Sequence, residues 1–235
     1  QVLMPIFADR LSPEHGARML GWLNSAVGVG SLLGALYLAA RRTVVGLGSH
    51  GIGIPPILIA GNEAQKKRFI PPVVRGEKIS ALAITEAGGG SDVARLSTRA
   101  VRDGDHYVVN GGKMFITSGC RADLVTTAVR TGGEGHGGIS LLVIEKGTPG
   151  FSVGRKLNKM GWWASDTAEL VFQDCRVPVA NLLGEENDGF TTIMRNFATE
   201  RLFLAGQCCS IAQLAYDESV EYARQRQAFG KSLTG

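Results

Sequence analysis

Cysteine is scarce in this sequence, and its placement excludes two kinds of structure. Only four cysteines occur among 235 residues, Cys120, Cys175, Cys208 and Cys209, and no two of them have CxxC spacing. Structural zinc sites need closely spaced pairs of Cys or His, whereas the adjacent cysteines at 208–209 fall in a helical pattern that indicates packing. We therefore expect no metal site and a reducing compartment.

Long runs of one kind of residue are also missing. The 25 Lys and Arg residues are scattered along the chain and give a net charge of +4 without a basic stripe. Nucleic-acid binding is therefore not expected, whereas a mild positive excess suits an anionic ligand that carries phosphates. The apolar stretch 27–47 is interrupted by Arg41 and Arg42, so it predicts a buried helix and turn and no membrane span.

Hydrophobic residues make up 44% of the chain, and their period changes twice. Residues 1–78 have helical spacing, with a helix start at Ser12-Pro13-Glu14. Short period-two segments fill residues 79–182, and helical spacing returns over residues 183–235. We predict an N-terminal helical domain, a middle β domain and the start of a C-terminal helical domain with these bounds.

Local signals refine the first two segments. Asn62 is predicted to cap a short helix that Pro71-Pro72 interrupts. Asp103-Gly104-Asp105 predicts a hairpin, and Asn110-Gly111-Gly112 predicts a further turn. Many short strands without helices between them favour an antiparallel barrel or sandwich, and thus an α+β fold.

Two helical runs are predicted in the last segment. Phe190, Ile193, Met194 and Phe197 have the i, i+3, i+4, i+7 spacing of one amphipathic helix. A second run is predicted from about residue 200 to residue 227. We expect the helical domain to continue beyond Gly235, because one helix pair alone makes a thin domain.

The junction at residues 81–92 has the sequence ALAITEAGGGSD. A strand, a hydroxyl residue, a glycine turn and a second hydroxyl residue can bring a backbone close to a phosphate or a flat ring. A strand that ends in a flexible turn is the alternative. The glycine patterns at 28–34 and 46–51 follow no clear strand, so we interpret them as helix packing and turns.

Several segments, in order, resemble those of the acyl-CoA dehydrogenase family over about residues 61–233. The segments are ITEAGGGSD at 84–92, GKMFITSG at 112–119, KMGWWASDT at 159–167, VP at 177–178 with NLLG at 181–184, and RQRQAFGK at 224–231. The resemblance implies an N-terminal α-helical domain, a middle antiparallel β-barrel or sandwich and a C-terminal α-helical bundle that is truncated here.

The resemblance also implies an FAD site. Thr85 resembles the hydroxyl residue at the polar edge of the flavin ring, supported by backbone groups of Ile84 and Glu86. Phe115, Ile116 and Thr117 resemble the segment whose aromatic ring lies against the isoalloxazine and whose hydroxyl lies near N5. Phe115 stands where most members carry Trp; Phe keeps the apolar ring face but lacks the indole N–H donor. The alternative for Phe115 is an ordinary position in the barrel core.

A further pair of residues resembles contacts with the FAD pyrophosphate of a neighbouring subunit. Arg226 has the planar guanidinium that suits phosphate oxygens, and Phe229 follows it. A charged helix end is the alternative for Arg226. This resemblance implies a homo-oligomer, a dimer or a tetramer.

The implied reaction is α,β-dehydrogenation of an acyl-CoA thioester. Many members place the base in helices beyond the end of this chain. A subset resembling isovaleryl- and long-chain-type enzymes places a Glu in a Glu-Arg-Leu context, which Glu200-Arg201-Leu202 matches. Apolar surroundings would raise the pKa of the Glu200 carboxyl, and a surface ion pair with Arg201 is the alternative.

Substrate and partner contacts complete the expectations. Arg201 resembles a contact at the substrate end of the site, and Ser91 resembles a contact with the pantetheine and phosphate arm. The implied electron acceptor is an electron-transfer flavoprotein, and the implied location is the cytoplasm of a bacterium or the mitochondrial matrix. Alternatives are an acyl-CoA oxidase or related flavoenzyme, although Glu at position 200 disfavours the nitroalkane-oxidase type, and a catalytically incompetent fragment of the fold.

Overall fold

The computed structural model describes residues 51–234 of the chain. The predictions for residues 1–50, including the helix start at Ser12, the segment 27–47 and most of the early glycine patterns, lie outside the described residues. Within the described part the elements occur in the order helices, strands, helix. The domain bounds at residues 78 and 182 stay a prediction.

Two short helices precede the sheet. Helix α1 spans Ile54–Ala60 and has prolines in its first turn, where a missing N–H costs no helical hydrogen bond. Helix α2 spans Glu63–Val74. The cap at Asn62 is confirmed, since its side chain accepts a hydrogen bond from the Gln65 backbone at 2.9 Å and the Gln65 side chain accepts one from the Asn62 backbone at 2.9 Å.

The predicted interruption of this helix at Pro71-Pro72 is wrong. Both prolines lie inside α2, which ends at Val74. Proline removes a backbone donor, and the residue before proline is disfavoured in the helical region. The buried side chains of Phe69 and Val73, which belong to the same apolar core, hold the last turn in place across the two prolines.

The strands form one eight-stranded sheet that curves around an apolar interior. Their order across the sheet is β6-β7-β3-β2-β4-β5-β8, and β1 pairs with β4. The bounds are β1 Ser80–Ala83, β2 Arg99–Asp103, β3 His106–Thr117, β4 Leu124–Arg130, β5 Ile139–Glu145, β6 Phe151–Lys156, β7 Thr167–Pro178 and β8 Leu182–Leu183.

Two features differ from the predicted antiparallel arrangement. Strand β1 pairs with β4 in parallel, with Ser80 opposite Leu124, and β2 makes one parallel contact with β4. The predicted turn at Asn110-Gly111-Gly112 is wrong, because these residues lie inside β3 with a register shift between Val109 and Gly111. The glycines allow a bulge here, and the strand bends without ending.

Strands β4 and β5 are buried on both faces, which explains their continuous apolar sequences. One face, with Val125, Val129 and Leu142, joins the interior of the curved sheet. The other face, with Leu124 and Leu141, packs against the helices in a second core. One face of β4 and β5 is thus covered by other strands of the sheet, and the opposite face is covered by the helices.

The last helix, α3, spans Gly189–Gln225, and a short hairpin of β9 Gln227–Ala228 and β10 Lys231–Ser232 follows it. The prediction of two helical runs is corrected to one helix of 37 residues. Its buried residues are confined to positions 189–196. Among residues 51–234, no helix combines the length and the apolar character needed to cross a bilayer.

Candidate active site

The loop that follows β1 folds back on itself around Thr85. The backbone N–H of Glu86 donates to Gly89 O and that of Gly89 donates to Glu86 O, both at 3.1 Å. A side chain at Gly90 would lie 3.0 Å from the Thr85 Cγ2 atom, so glycine lets the loop close over the threonine. Ser91 is exposed just beyond this turn.

A buried ion pair anchors this loop to strand β3. The Lys113 ammonium donates to Glu86 Oε1 at 2.7 Å and to Ile84 O at 3.1 Å. The Glu86 Oε1 atom also accepts from the Thr98 backbone at 2.9 Å, and Oε2 accepts from the Ser97 backbone at 2.6 Å and its hydroxyl at 2.7 Å. The side chain of Glu86 is therefore fully engaged inside the protein, and the exposed surface of the loop is left to its neighbours.

The environment shifts the pKa of both members of this pair. Burial opposes ionisation of Glu86, but the Lys113 ammonium and the hydrogen bonds from Ser97 and Thr98 outweigh it and lower the pKa of the carboxyl to about 2. Burial lowers the pKa of Lys113 to about 8, against the opposing effect of the Glu86 carboxylate. The carboxylate is thus ionised at neutral pH and its partner carries the matching charge.

The segment Phe115–Thr117 lies next to this loop, at the end of β3. The backbone N–H of Met114, the residue before Phe115, donates to Thr85 O at 2.8 Å, which brings the two predicted flavin segments side by side. Phe115 has a positive φ of 59° and its side chain is 63% exposed. Ile116 is buried in the sheet interior, so its side chain is not available to a ligand, whereas Thr117 is half-buried.

A surface depression of about 400 Å³ lies beside Phe115 and is walled by the segment Arg155–Lys159 and by Thr167. The register shift between Lys113 and Ile116 turns the Phe115 ring outward into it. An exposed aromatic ring at the edge of a shallow depression is a suitable face for a flat heteroaromatic group.

Glu200 lies in a different groove, between α1 and α3. The groove has a volume of about 420 Å³ and is mostly apolar, with Leu58, Ile59 and Phe203 among its walls. The Asn196 side chain donates to Glu200 Oε1 at 2.9 Å and orients the carboxylate. Such an apolar groove can hold an alkyl chain, and its oriented carboxylate can act as a base toward an acidic C–H next to a carbonyl group.

The remaining predicted residues, one in α3 and two beyond its end, are not brought together with Thr85 and Phe115. Arg201 is exposed, and its guanidinium lies 5.4 Å from the centre of the Phe197 ring. Arg226 and Phe229 are exposed beyond the end of α3, and Phe229 has a positive φ of 53°. Since a helix rises 1.5 Å per residue, Arg226 stands about 39 Å along the axis from Glu200.

Two features of the site were missed from the sequence. The first is Lys113, which occupies a core-facing position of β3; a charged residue in the buried phase of a strand was the signal that could have found it. The second is a basic groove of about 760 Å³ beside Ser97, whose charged residues are Arg95, Arg99, Arg130 and His136 together with Asp92 and Glu134.

The guanidinium of Arg130 organises this basic groove. It donates to the backbone oxygens of Leu96 at 2.9 Å, Ala94 at 2.6 Å and Gly135 at 3.3 Å, and also to Gly133 O. These acceptors are neutral carbonyl groups. The positive charge of Arg130 is therefore held rigidly and remains available to an anion.

Sequence profiles identify two parts of the chain. The profile of the acyl-CoA dehydrogenase middle domain matches residues 81–175, and that of the acyl-CoA dehydrogenase C-terminal domain matches residues 187–235. The chain belongs to the acyl-CoA dehydrogenase family. The first match covers both segments of the Thr85 site, and the second covers α3 with Glu200.

Individual relatives agree with this assignment. Isovaleryl-CoA dehydrogenase of Pongo abelii is 37% identical over 224 residues, 94% of this chain and 52% of the relative. Long-chain specific acyl-CoA dehydrogenase of Sus scrofa is 41% identical over 233 residues, 94% and 54% of the two chains. A probable acyl-CoA dehydrogenase structure from Mycobacterium abscessus is 57% identical, with a TM-score of 0.74 over 80% of this chain and 50% of that one.

The chain thus spans about half the length of the curated relatives it matches. In the described part of the chain, no group of three or more His, Cys, Asp and Glu side chains could hold a metal ion, and all four cysteines are free thiols.

Proposed function

We propose that this protein binds FAD and catalyses the α,β-dehydrogenation of an acyl-CoA thioester. The hydrogen bond of 2.8 Å from the Met114 backbone to Thr85 O carries the proposal. It joins segment 84–86 to Met114, the residue directly before segment 115–117, and these two segments are distant in sequence and both resemble flavin contacts of the family. FAD, when bound, supplies the oxidant that accepts the hydride from the substrate β carbon.

The residues present fit such a cofactor. Phe115 offers an exposed ring beside a depression of about 400 Å³, and Thr85 and Thr117 are hydroxyl residues that are half-buried and thus reachable. Gly88 and Gly89 have open space where a side chain would lie, which allows a ligand to approach their backbone. We propose that Thr85 and the Glu86 backbone bind the polar edge of the ring and that Phe115, the Ile116 backbone and Thr117 bind its face.

Glu200 is the proposed catalytic base. Its carboxylate is oriented by Asn196 within a mostly apolar groove, which is suited to an acyl chain. The Glu200 carboxylate would remove the α proton of the thioester while hydride leaves the β carbon, so that a C–C double bond forms and the base becomes protonated. The proposal of this base rests on the Glu-Arg-Leu context at residues 200–202, which resembles that of the isovaleryl- and long-chain-type subset.

The basic groove near Ser97 is the proposed place for the phosphates of the substrate arm. Three arginines and a histidine face two carboxylates there, so the groove carries a net positive charge that attracts an anion. Ser91 lies at the end of the same loop as Thr85, and a single loop could thus contact both ligands. Arg201 is proposed to contact the thioester end from α3.

The assembly and the electron acceptor are also proposals. Arg226 and Phe229 are exposed beyond the end of α3, about 39 Å along the helix axis from Glu200, and we propose that they contact FAD of a neighbouring subunit. A dimer or tetramer follows from that arrangement. An electron-transfer flavoprotein is the proposed acceptor, in a bacterial cytoplasm or a mitochondrial matrix.

Anaerobic titration of the flavin-loaded protein with a series of acyl-CoAs tests the function, with flavin bleaching as the readout. We expect wild-type protein to bleach and Glu200→Gln to bleach about 10²–10⁴-fold more slowly, the usual effect of a lost general base. Glu221→Gln, an exposed carboxylate on the same helix, is the matched control. Unchanged bleaching by Glu200→Gln would disprove the assignment of the base, and oxygen consumption would indicate an oxidase.

A further inference from the structure

Lys113 is the most deeply buried charged side chain of the described residues. Its side chain has no exposed surface, and that of its partner Glu86 is 9% exposed. By contrast, the Lys66–Glu63 pair on α2 has side-chain exposures of 32% and 79%. A charge taken fully out of water is costly, so its place in the structure requires a specific reason.

Stability alone is a weak reason. Replacing a buried ion pair by apolar side chains of similar size is often neutral or stabilising, because the attraction between the charges only offsets their lost hydration. What an apolar pair cannot do is fix the direction of several polar groups at once. The acceptors of this ammonium are Ile84 O and Glu86 Oε1.

These acceptors belong to the two chain neighbours of Thr85. The ammonium of Lys113 therefore holds Thr85 from both sides, while Lys113 itself stands two residues before Phe115 in β3. The hydrogen bond from the Met114 backbone N–H to Thr85 O adds a direct link between β3 and the Thr85 loop. Glu86 extends it to a third segment through Ser97 and Thr98.

We propose that Lys113, acting with Glu86, is a positioning residue for the flavin site. The pair sets the Thr85 hydroxyl and the Phe115 ring at one fixed separation, so that both meet the same ring system without first being ordered by it. Lys113 does not touch the cofactor; it acts through the two segments that do. This inference rests on the proposed FAD site.

The test compares FAD binding by four forms of the whole protein. Lys113→Met removes the ammonium, and the double variant Lys113→Met with Glu86→Gln removes both charges and avoids an unpaired buried carboxylate. The matched control is Lys66→Met with Glu63→Gln, which neutralises the surface pair on α2 in the same way. Folding of each form is followed by circular dichroism, and FAD binding by titration of the cofactor-free protein.

We expect both Lys113 variants to bind FAD roughly tenfold more weakly, since loosened ligand groups must be ordered on binding. At saturating FAD, their visible flavin band should differ from that of wild type, because the contacts around the ring have changed. A residue that only stabilised the fold would leave the spectrum of the bound cofactor unchanged. The control pair should match wild type in affinity and spectrum.

Three outcomes would overturn the inference. If wild type binds no FAD, the proposed function fails and the inference fails with it. If wild type binds FAD and the folded double variant binds it with equal affinity and the same spectrum, the inference alone fails. If neither Lys113 variant folds, hydrogen exchange on wild type decides: the Met114 amide should already exchange slowly in the cofactor-free protein, and an amide that becomes protected only when FAD binds contradicts the positioning role.

Discussion

At the scale of single residues, the ion pairs of this protein differ widely in their exposure to water. This exposure determines how much each pair contributes to folding stability. The Arg75–Glu77 and Lys66–Glu63 pairs lie on the surface, where water and salt screen most of the attraction between the charges. The Glu86 carboxylate instead accepts four hydrogen bonds within the protein, two from Ser97 and one each from Thr98 and Lys113. Losing its charge should therefore have a measurable cost.

Acid should remove this contribution in a defined pH range. The ordinary pKa of 4.5 falls to about 2 in the folded protein, so the unfolded chain takes up the proton first as the pH decreases. The stabilisation is complete above pH 4.5 and is lost as the pH falls through about 2, a change of about 3 kcal/mol. Urea unfolding of wild type and Glu86→Gln between pH 7 and pH 2 measures it.

The difference in unfolding free energy between these two forms should shrink by that amount over the range. Glu63→Gln, which removes an exposed carboxylate, should run parallel to wild type at all pH values. A difference between wild type and Glu86→Gln that stays constant down to pH 2 would contradict the prediction.

Gly111 is a second residue with a specific local role. Its φ of +140° is disfavoured for other residues, and an added Cβ would lie 2.7 Å from the Thr98 Cα atom. Gly111→Ala should therefore destabilise the protein by roughly 1–3 kcal/mol, because neither the backbone nor the neighbour can relax cheaply. Denaturant unfolding measures the effect. Gly133→Ala, where a Cβ meets open space, should change stability by less than about 0.5 kcal/mol.

At the scale of elements, helix α3 has two unlike parts. Its first turns are buried against α1 and β5, with Ile193 fully buried. Later residues such as Ile211 and Leu214 are more than half exposed. The helix is thus anchored at one end and extends away from the sheet.

Alanine substitution should distinguish the two parts of α3 in the 235-residue chain. Ile193→Ala should cost roughly 2–5 kcal/mol, since it leaves a cavity in the second core. Ile211→Ala should change the unfolding free energy by less than about 0.5 kcal/mol, because alanine is the better helix former and little packing is lost. Thermal and urea unfolding of both variants measure the contrast, and equal costs would contradict this description of the helix.

Helix caps and turns were predicted correctly from the sequence where neighbouring residues alone determine the local structure. The Asn62 cap and the Asp103-Gly104-Asp105 hairpin follow from local hydrogen bonding and turn chemistry. The single helix α3 was divided in two because its apolar spacing weakens near residue 198, although no proline stops it. Glycines at 111 and 112 signal a bend, and only the pairing of β3 with β7 shows that the strand continues through it.

At the scale of the whole molecule, long-range pairing brings the candidate site together. Strand β1 pairs in parallel with β4, across 44 residues, and this places the Thr85 loop beside the end of β3. No local pattern determines such a pairing, because the register depends on which strand lies adjacent after folding. The residues at 84–86 and 115–117 were predicted from the sequence through a family resemblance. Only the folded structure shows that these two segments lie close together and that the Lys113 ammonium is buried beside them.

Assembly makes a further prediction at this scale. If Arg226 contacts FAD of a neighbouring subunit, Arg226→Met should weaken FAD retention roughly tenfold, the usual effect of losing a charged hydrogen-bond partner. Gel filtration with absorbance at the flavin band measures retention and size together. Arg224→Met, in the last turn of the same helix, is the control. Equal retention by both variants would exclude a role for Arg226.

Helix α3 continues without a break from Glu200 to Gln225, the residue before Arg226, and this limits where residues can be inserted or deleted. Each residue of a helix turns the direction of everything beyond it by 100°. Deleting one residue between these positions would point the terminal hairpin to a different side of the molecule. Deleting seven would restore its direction to within about 20° and move it about 10 Å closer. Insertions and deletions in this helix should therefore be tolerated only in steps of whole turns.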